Sequence, residues 1–225
     1  MQTPSGFVRT RISDDLSLRG KFIALEGLDG SGKTTQIALL HKWLKKQSYD
    51  VIPTKEPTEG LWGEKIKGVQ KGDFEVDPLS LCFAYLADRV DHLQKLHLDS
   101  QRFEFPLILS DRYELSYLAY QQADTNKDVK WLLITHEGLP LPDLTIFLDV
   151  PPDECIVRMR RSRLPTPEKF EKSAEQLDMI RKGYFIAIKK MVENRQAIFV
   201  LDGTNTIELI HQKIIEIVSR VVLSR

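Results

Sequence analysis

The chain has 225 residues and sets 32 lysines and arginines against 32 aspartates and glutamates, a formal charge of zero. That length suits one α/β domain, 42% apolar residues supply a core unaided, and the missing basic excess argues against nucleic acid as a partner. Cys82 and Cys155 stand apart without CxxC spacing, which argues against zinc and disulfides and fits a reducing, cytoplasmic setting.

Residues 1–19 form a polar lead that lacks the apolar stretch of a signal peptide. They are expected to be partly disordered and to carry no chemistry, with residues 20–225 making a single domain. No run reaches the roughly 18 apolar residues of a membrane span, so no membrane partner is expected. Beyond the lead, short apolar runs alternate with helical patterns, the signature of a parallel sheet with crossover helices. Phe22–Leu25 reads as the first strand, and Ile37, Leu40 and Leu44 follow at helical spacing. Val51-Ile52 opens a weaker second strand. From Asp77-Pro78 a long helix is predicted, with Leu79, Cys82, Phe83, Leu86, Val90 and Leu93 on its apolar stripe. Leu107–Leu109, Leu144–Val150 and Ala197–Leu201 complete five strands, and a helix from about Thr206 closes the chain.

Two segments read as loops. Residues 55–63 (KEPTEGLWG) are rich in breakers and charge. Residues 158–171 (RMRRSRLPTPEKFE) place four arginines before two prolines, either a mobile basic lid or a solvated helix end whose cations suit its C-terminus. Composition alone favours the solvated helix end.

The chemical signal sits between the first strand and the first helix. Gly27-Leu28-Asp29-Gly30-Ser31-Gly32-Lys33-Thr34 fits G-x-x-x-x-G-K-[ST] in full, in the strand-to-helix context that motif requires. Its glycines let successive N–H groups turn toward one anion, and the helix N-terminus adds positive charge. Lys33 would neutralise β- and γ-phosphate oxygens, and the Thr34 hydroxyl would ligate Mg2+. By residue frequencies such a match arises by chance in roughly one chain in a hundred, so a mere Gly-rich turn is a poor account of it. Asp111 and Arg112 follow the third strand. A carboxylate there is placed to hold Mg2+, and a planar guanidinium suits a second phosphate.

The remainder of the motif set narrows the class. Asn126-Lys127-Asp128 brings its aspartate one residue early for the guanine-reading N-K-x-D loop and follows no apolar strand, which excludes a switch GTPase. Tyr85 and Arg89 lie at i and i+4 beside the apolar stripe, where a ring can stack on a base while the cation donates to it; taken alone, a surface tyrosine and a helix salt bridge is the better reading. Tyr113, Ser116, Tyr120 and Gln121 fall near one face of the next helix. The five histidines show no metal-ligand spacing and receive no role.

Taken together, GLDGSGKTT, KEP, YLADR, SDRYELSYLAYQ, PDLTIFLDVPP and the Arg-rich segment after them resemble the thymidylate kinase family over residues 20–220. The resemblance implies a P-loop three-layer α/β/α fold with a five-stranded parallel sheet and a short lid, and usually a homodimer. It implies ATP + dTMP → ADP + dTDP with Mg2+, on the route to dTTP. The implied nucleotide cradle is Gly27, Asp29, Gly30, Ser31, Gly32, Lys33, Thr34 and Thr35, with Thr34 and Asp111 at the metal. Asp29 also resembles the carboxylate that takes the deoxyribose 3′-hydroxyl, and Arg112 the arginine that grips the acceptor phosphate. Tyr85 stands where the family stacks an aromatic ring on thymine, Arg89 where an arginine reaches O4, and Tyr120 where an aromatic crowds the sugar 2′ position. Ser116 and Gln121 border the base, and Glu56 joins the acceptor side. Gly30 places the chain among members that lack a P-loop arginine and bring the catalytic cation from the lid, with Arg160 or Arg163 preferred over Arg158 and Arg161. The family's Arg-Glu-Pro is Lys55-Glu56-Pro57 here, and Tyr117 fills a position that is often small or polar. The competing readings are another pyrimidine nucleotide or deoxynucleoside kinase of this fold, and a nucleotide-binding module without turnover.

Overall fold

A computed structural model describes residues 16–161, 173–194 and 196–223. In chain order the elements are β1 (Lys21–Gly27), α1 (Lys33–Lys46), β2 (Val51–Lys55), α2 (Leu61–Lys71), α3 (Pro78–Ser100), β3 (Leu107–Asp111), α4 (Glu114–Thr125), α5 (Val129–Ile134), β4 (Leu144–Asp149), α6 (Pro152–Arg161), α7 (Ala174–Glu193), β5 (Ile198–Asp202) and α8 (Ile207–Val221). The strands form one parallel sheet in the order β2-β3-β1-β4-β5. β1 is central because its run is apolar on both faces: Phe22, Ile23, Ala24 and Leu25 are all buried. Helices α1 and α8 cover one face, where Leu40, Leu44, Ile210, Ile214 and Val218 meet Ile23, Leu25, Leu107 and Ile146. On the other, α4 and α7 close over Phe147, with Leu118, Tyr184 and Ala187.

Parallel register brings the strand C-termini to one edge. Leu25 pairs with Asp111, Lys55 with Asp111, Gly27 with Leu148, and Asp149 with Asp202. In open α/β sheets that edge is where ligands bind, and here it gathers Gly27, Lys55, Asp111 and Asp149. Caps fix the helices that frame it. Asp77 caps α3 through the Leu79 amide with Pro78 at the first position, Ser173 and Gln176 form a capping box on α7, and Thr206 caps α8.

The five strands and the starts of α1, α3 and α8 lie where the sequence places them. Three features differ. Helix α2 occupies Leu61–Lys71, so the predicted loop over 55–63 ends three residues early; α2 has few apolar positions and α5 spans only six residues, too short for a periodic stripe, and tertiary contacts settle both. The stripe on α3 is turned: Phe83 and Val90 are 48% and 36% exposed, while Asp88, Arg89 and His92 are buried beside Cys82 and Leu93. Those polar groups tolerate burial because each meets an opposite charge or a hydrogen-bond partner, as described below. Finally, Leu16 and Leu18, read as part of the lead, pack on the cluster of Phe22, Leu93, Leu96 and Tyr113, and the Arg19 amide donates to Ser100 Oγ at 3.2 Å. The described fold therefore begins before residue 20.

Helices α4 and α7 meet at Gly183. A Cβ there would lie 2.8 Å from the Ala119 carbonyl oxygen and 3.2 Å from its Cα, backbone atoms that cannot swing aside. Gly183→Leu is expected to cost about 1–3 kcal/mol of stability, although leucine's helix propensity exceeds glycine's by about 0.8 kcal/mol. Urea titration checks this; an unchanged midpoint would mean that the two helices separate freely.

Candidate active site

The loop between β1 and α1 wraps an anion-shaped hollow. Gly27, Gly30 and Gly32 all take positive φ, and α1 begins with no side chain capping its first amides. A Cβ on Gly32 would meet nothing within 4 Å. The Ser31 hydroxyl is buried and has no partner among the described residues. Lys33 Nζ donates to the carbonyls of Gly27 at 2.9 Å and Leu28 at 2.8 Å. Burial, aided by the nearby Arg112 charge, lowers its pKa to about 8 against the pull of Asp29, Asp111 and Glu26. Uncapped amides, an orphaned hydroxyl and a desolvated ammonium fit a phosphate group.

Gly30 has no such room. A Cβ there would lie 2.5 Å from the Cys155 carbonyl oxygen and 3.0 Å from Met159 Cγ on α6. The tight approach of α6 explains why this position carries glycine, and it blocks an arginine from that corner of the loop.

Next to the P-loop, Thr34 Oγ1 donates to Asp111 Oδ2 at 3.0 Å, a hydroxyl and carboxylate placed to share a divalent cation. Thr35 follows, exposed, in the first turn of α1. Arg112 has φ +73°, which is unfavourable by about 1–2 kcal/mol for a side chain with a Cβ. Its contacts hold it there. Nη1 donates to Gly27 O at 3.1 Å, Ser116 Oγ at 3.0 Å and Tyr184 Oη at 3.2 Å, and Nη2 donates to the Asp29 carboxylate and to Tyr120 Oη at 3.2 Å. Burial works against its charge, but Asp29, Tyr120 and Tyr184 outweigh it and raise the pKa. The structure thus brings Asp29, Arg112, Ser116 and Tyr120 together as the sequence pairs them. It adds two residues that motif reading missed. Glu26, fully buried, accepts from the Tyr113 amide at 2.8 Å, the Ser116 amide at 3.2 Å and the Ser116 hydroxyl. Burial raises its pKa despite Ser116 and Arg112. A carboxylate at the end of an apolar strand run was its signal. Tyr184, from α7, donates to Gly27 O at 3.1 Å, and nothing local in the sequence announces it.

A second cluster lies on α3. Arg89 is 2% exposed, not on the outer surface where a bare helix salt bridge would leave it. Its Nε donates to both Glu56 oxygens at 3.2 and 3.0 Å, Nη2 donates to Glu56 Oε2, and Nη1 to His136 Nε2. His92 Nδ1 lies 2.9 Å from Glu56 Oε1, with Thr54 at its other nitrogen. Burial alone would raise the Glu56 pKa, but Arg89 and His92 together bring it below the usual carboxylate value. Asp88 accepts from the Thr58 amide at 2.8 Å and hydroxyl at 2.6 Å, tying the β2–α2 loop to α3. Two histidines given no role thus sit in this network. Tyr85 accepts from Gln70 of α2 at 2.9 Å. Gln121 is buried, and its Oε1 has no partner among the described residues. Tyr117 Oη lies 3.0 Å from Cys82 Sγ and 3.2 Å from Thr135 Oγ1.

Of the lid arginines, Arg158 is committed to Glu154 and to the Gly203 carbonyl, each at 2.9 Å. Arg160 and Arg161 are exposed on the last turn of α6, while Arg163 and most of the 158–171 segment lie outside the described residues. Both cysteines are free and buried. Among the described residues no cluster of three metal-ligating side chains occurs and no helix is long and apolar enough to cross a membrane.

A P-loop on the central strand of a parallel sheet, with an Asp-Arg pair at the tip of its neighbour, defines a P-loop nucleotide-binding protein. Comparison with known proteins narrows this further. The thymidylate kinase family model matches residues 25–214, and the chain belongs to that family. A probable thymidylate kinase of Pyrococcus horikoshii is 34% identical over 211 residues, covering 92% of this chain and 99% of the relative. One from Thermococcus gammatolerans is 36% identical, covering 91% and 99%. The solved structure of thymidylate kinase from Candida albicans superposes with a TM-score of 0.70 at 25% identity, covering 91% and 93%.

Proposed function

We propose that this chain transfers a phosphoryl group from ATP to dTMP, with Mg2+, giving dTDP. The observation that carries this reading is the convergence of Lys33 and Arg112 on the Gly27 carbonyl; in this reading Lys33 serves the donor nucleotide and Arg112 the acceptor. In this reading the amides of Gly30 to Thr35 and Lys33 hold the ATP phosphates, and Thr34 and Asp111 hold Mg2+. The metal, when bound, neutralises charge across those phosphates. Arg112 grips the acceptor phosphate, Asp29 takes the 3′-hydroxyl, and Tyr120 crowds the 2′ position. Tyr85 and Arg89 read the base, with Ser116 and Gln121 at its border and Glu56 holding Arg89. Arg160 or Arg163 supplies the remaining cation. An acceptor phosphate is already anionic, so positioning and charge neutralisation suffice without a general base. A homodimer in the cytoplasm belongs to the same proposal, supported by the exposed Phe83 and Val90 on α3 and by the free cysteines.

The test is ADP release with ATP, Mg2+ and dTMP, dUMP, dCMP, UMP, AMP or thymidine. The Candida albicans relative is described as having broad substrate specificity, which makes the breadth of the panel informative. Fast turnover with dTMP, slower with dUMP and negligible with the rest is expected. Preference for another acceptor would keep the phosphate machinery and overturn the base assignment. Silence throughout, with ATP still bound, would make the chain a binding module.

A further inference from the structure

Arg89 reads a base only if its planar fork is held in one orientation, and the fork has two holders. Glu56 takes Nε–H and one Nη2–H, and His136 takes one Nη1–H, leaving two of the five N–H bonds for another acceptor. His136 follows α5, an element that carries none of the phosphate or base motifs. Its tautomer follows from its neighbours. Nδ1 faces the Leu132 carbonyl at 3.1 Å, which only accepts, so Nδ1 bears the proton and Nε2 turns its lone pair to Arg89. Arginine offers only donors, so a protonated imidazole could not make this contact. The ring is wedged edge-on against Tyr117 at 4.3 Å, while the Arg89 guanidinium lies 4.3 Å over Tyr113 and 5.5 Å from Tyr117.

We propose that His136 is a positioning residue for acceptor recognition, fixing with Glu56 the orientation in which Arg89 meets the base. The proposal rests on the reading of Arg89 as a base contact. The acceptor lone pair is permanent at working pH, because burial first, and then the Arg89 charge, lowers the His136 pKa to about 3.

Two polar substitutions separate positioning from mere support. In His136→Asn the short amide can still donate to Leu132 O but falls short of Arg89. In His136→Gln the longer amide puts an oxygen where Nε2 stood. Steady-state kinetics of the full chain with ATP and dTMP are expected to show KM for dTMP raised about tenfold or more in His136→Asn, the loss of one hydrogen bond to a charged group. Its kcat and its KM for ATP should stay within about twofold of the parent, and His136→Gln should recover most of the loss. If His136→Asn matches the parent, or performs better than His136→Gln, the proposal is overturned. Failure of His136→Asn to fold would also overturn it, marking His136 as a structural tie. Arg89→Lys, which keeps charge without the fork, tells the two layers apart. An unchanged KM for dTMP in Arg89→Lys removes the base contact itself, whereas a raised value there with a normal His136→Asn removes only His136.

Discussion

Lys33→Ala is expected to lower kcat by at least about a hundredfold, the scale of removing one preorganised charge donor from a transition state, while leaving the fold intact. The two expectations have separate causes. Under the proposed function, charge develops on the transferring phosphoryl group beside Lys33, and no other cation among the described residues rises from the first turn of α1. In the resting protein, however, Lys33 is a desolvated ammonium whose pKa is lowered to about 8, first by burial and then by Arg112. Removing it therefore relieves a buried charge and its repulsion from Arg112, against the loss of two hydrogen bonds and of attraction to Asp29, Asp111 and Glu26. Gly27 O keeps Arg112 and Tyr184 as donors, so no buried acceptor is stranded there. Circular dichroism and the thermal midpoint should stay near the parent values while turnover collapses. A variant with kcat within about threefold of the parent would remove Lys33 from the reaction.

Arg112→Ala is expected to cost a similar factor, about 10²–10³ in kcat/KM for the acceptor, with a smaller effect on ATP binding. One guanidinium serves Gly27, Asp29, Ser116, Tyr120 and Tyr184 at once, a geometry that only a planar fork provides. Arg112→Lys, retaining charge as a single point, should fall between the parent and alanine. Equal activity of the lysine and arginine forms would show that charge alone is needed. The strain of the positive φ at this position stays with every substitution except glycine, so stability has to be measured beside activity.

How much of this was legible in the sequence depended on how local the cause was. The P-loop could be read outright, because glycines at fixed spacing dictate a backbone path and the adjacent lysine and threonine dictate what it holds. Asp111 and Arg112 were legible for a related reason: a polar pair ending an apolar strand must lie at the sheet's C-terminal edge. The orientation of α3 was not. Its buried face carries Asp88, Arg89 and His92, and their partners are Thr58 and Glu56, some 30 residues earlier, with His136 far downstream. Apolar periodicity measures which side chains avoid water unaided and misses those that do so in pairs. Hence Phe83 and Val90 were assigned to the core and are exposed. Tyr184 escaped for the same reason, since its hydroxyl matters only after α7 has folded over the P-loop.

The Gly27 carbonyl accepts from Lys33 at 2.9 Å, Arg112 at 3.1 Å and Tyr184 at 3.1 Å, so both cations hang on one oxygen. Under the proposed function this makes the donor and acceptor nucleotides thermodynamic neighbours before either arrives. An anion that draws one cation away relieves repulsion on the other and frees part of the oxygen's coordination, so on that function the binding of one substrate is expected to change the affinity for its partner. The same sharing makes damage redundant: Lys33→Ala combined with Arg112→Ala should lose less than the product of the two separate losses. On that function, one peptide group is where the two substrates would communicate.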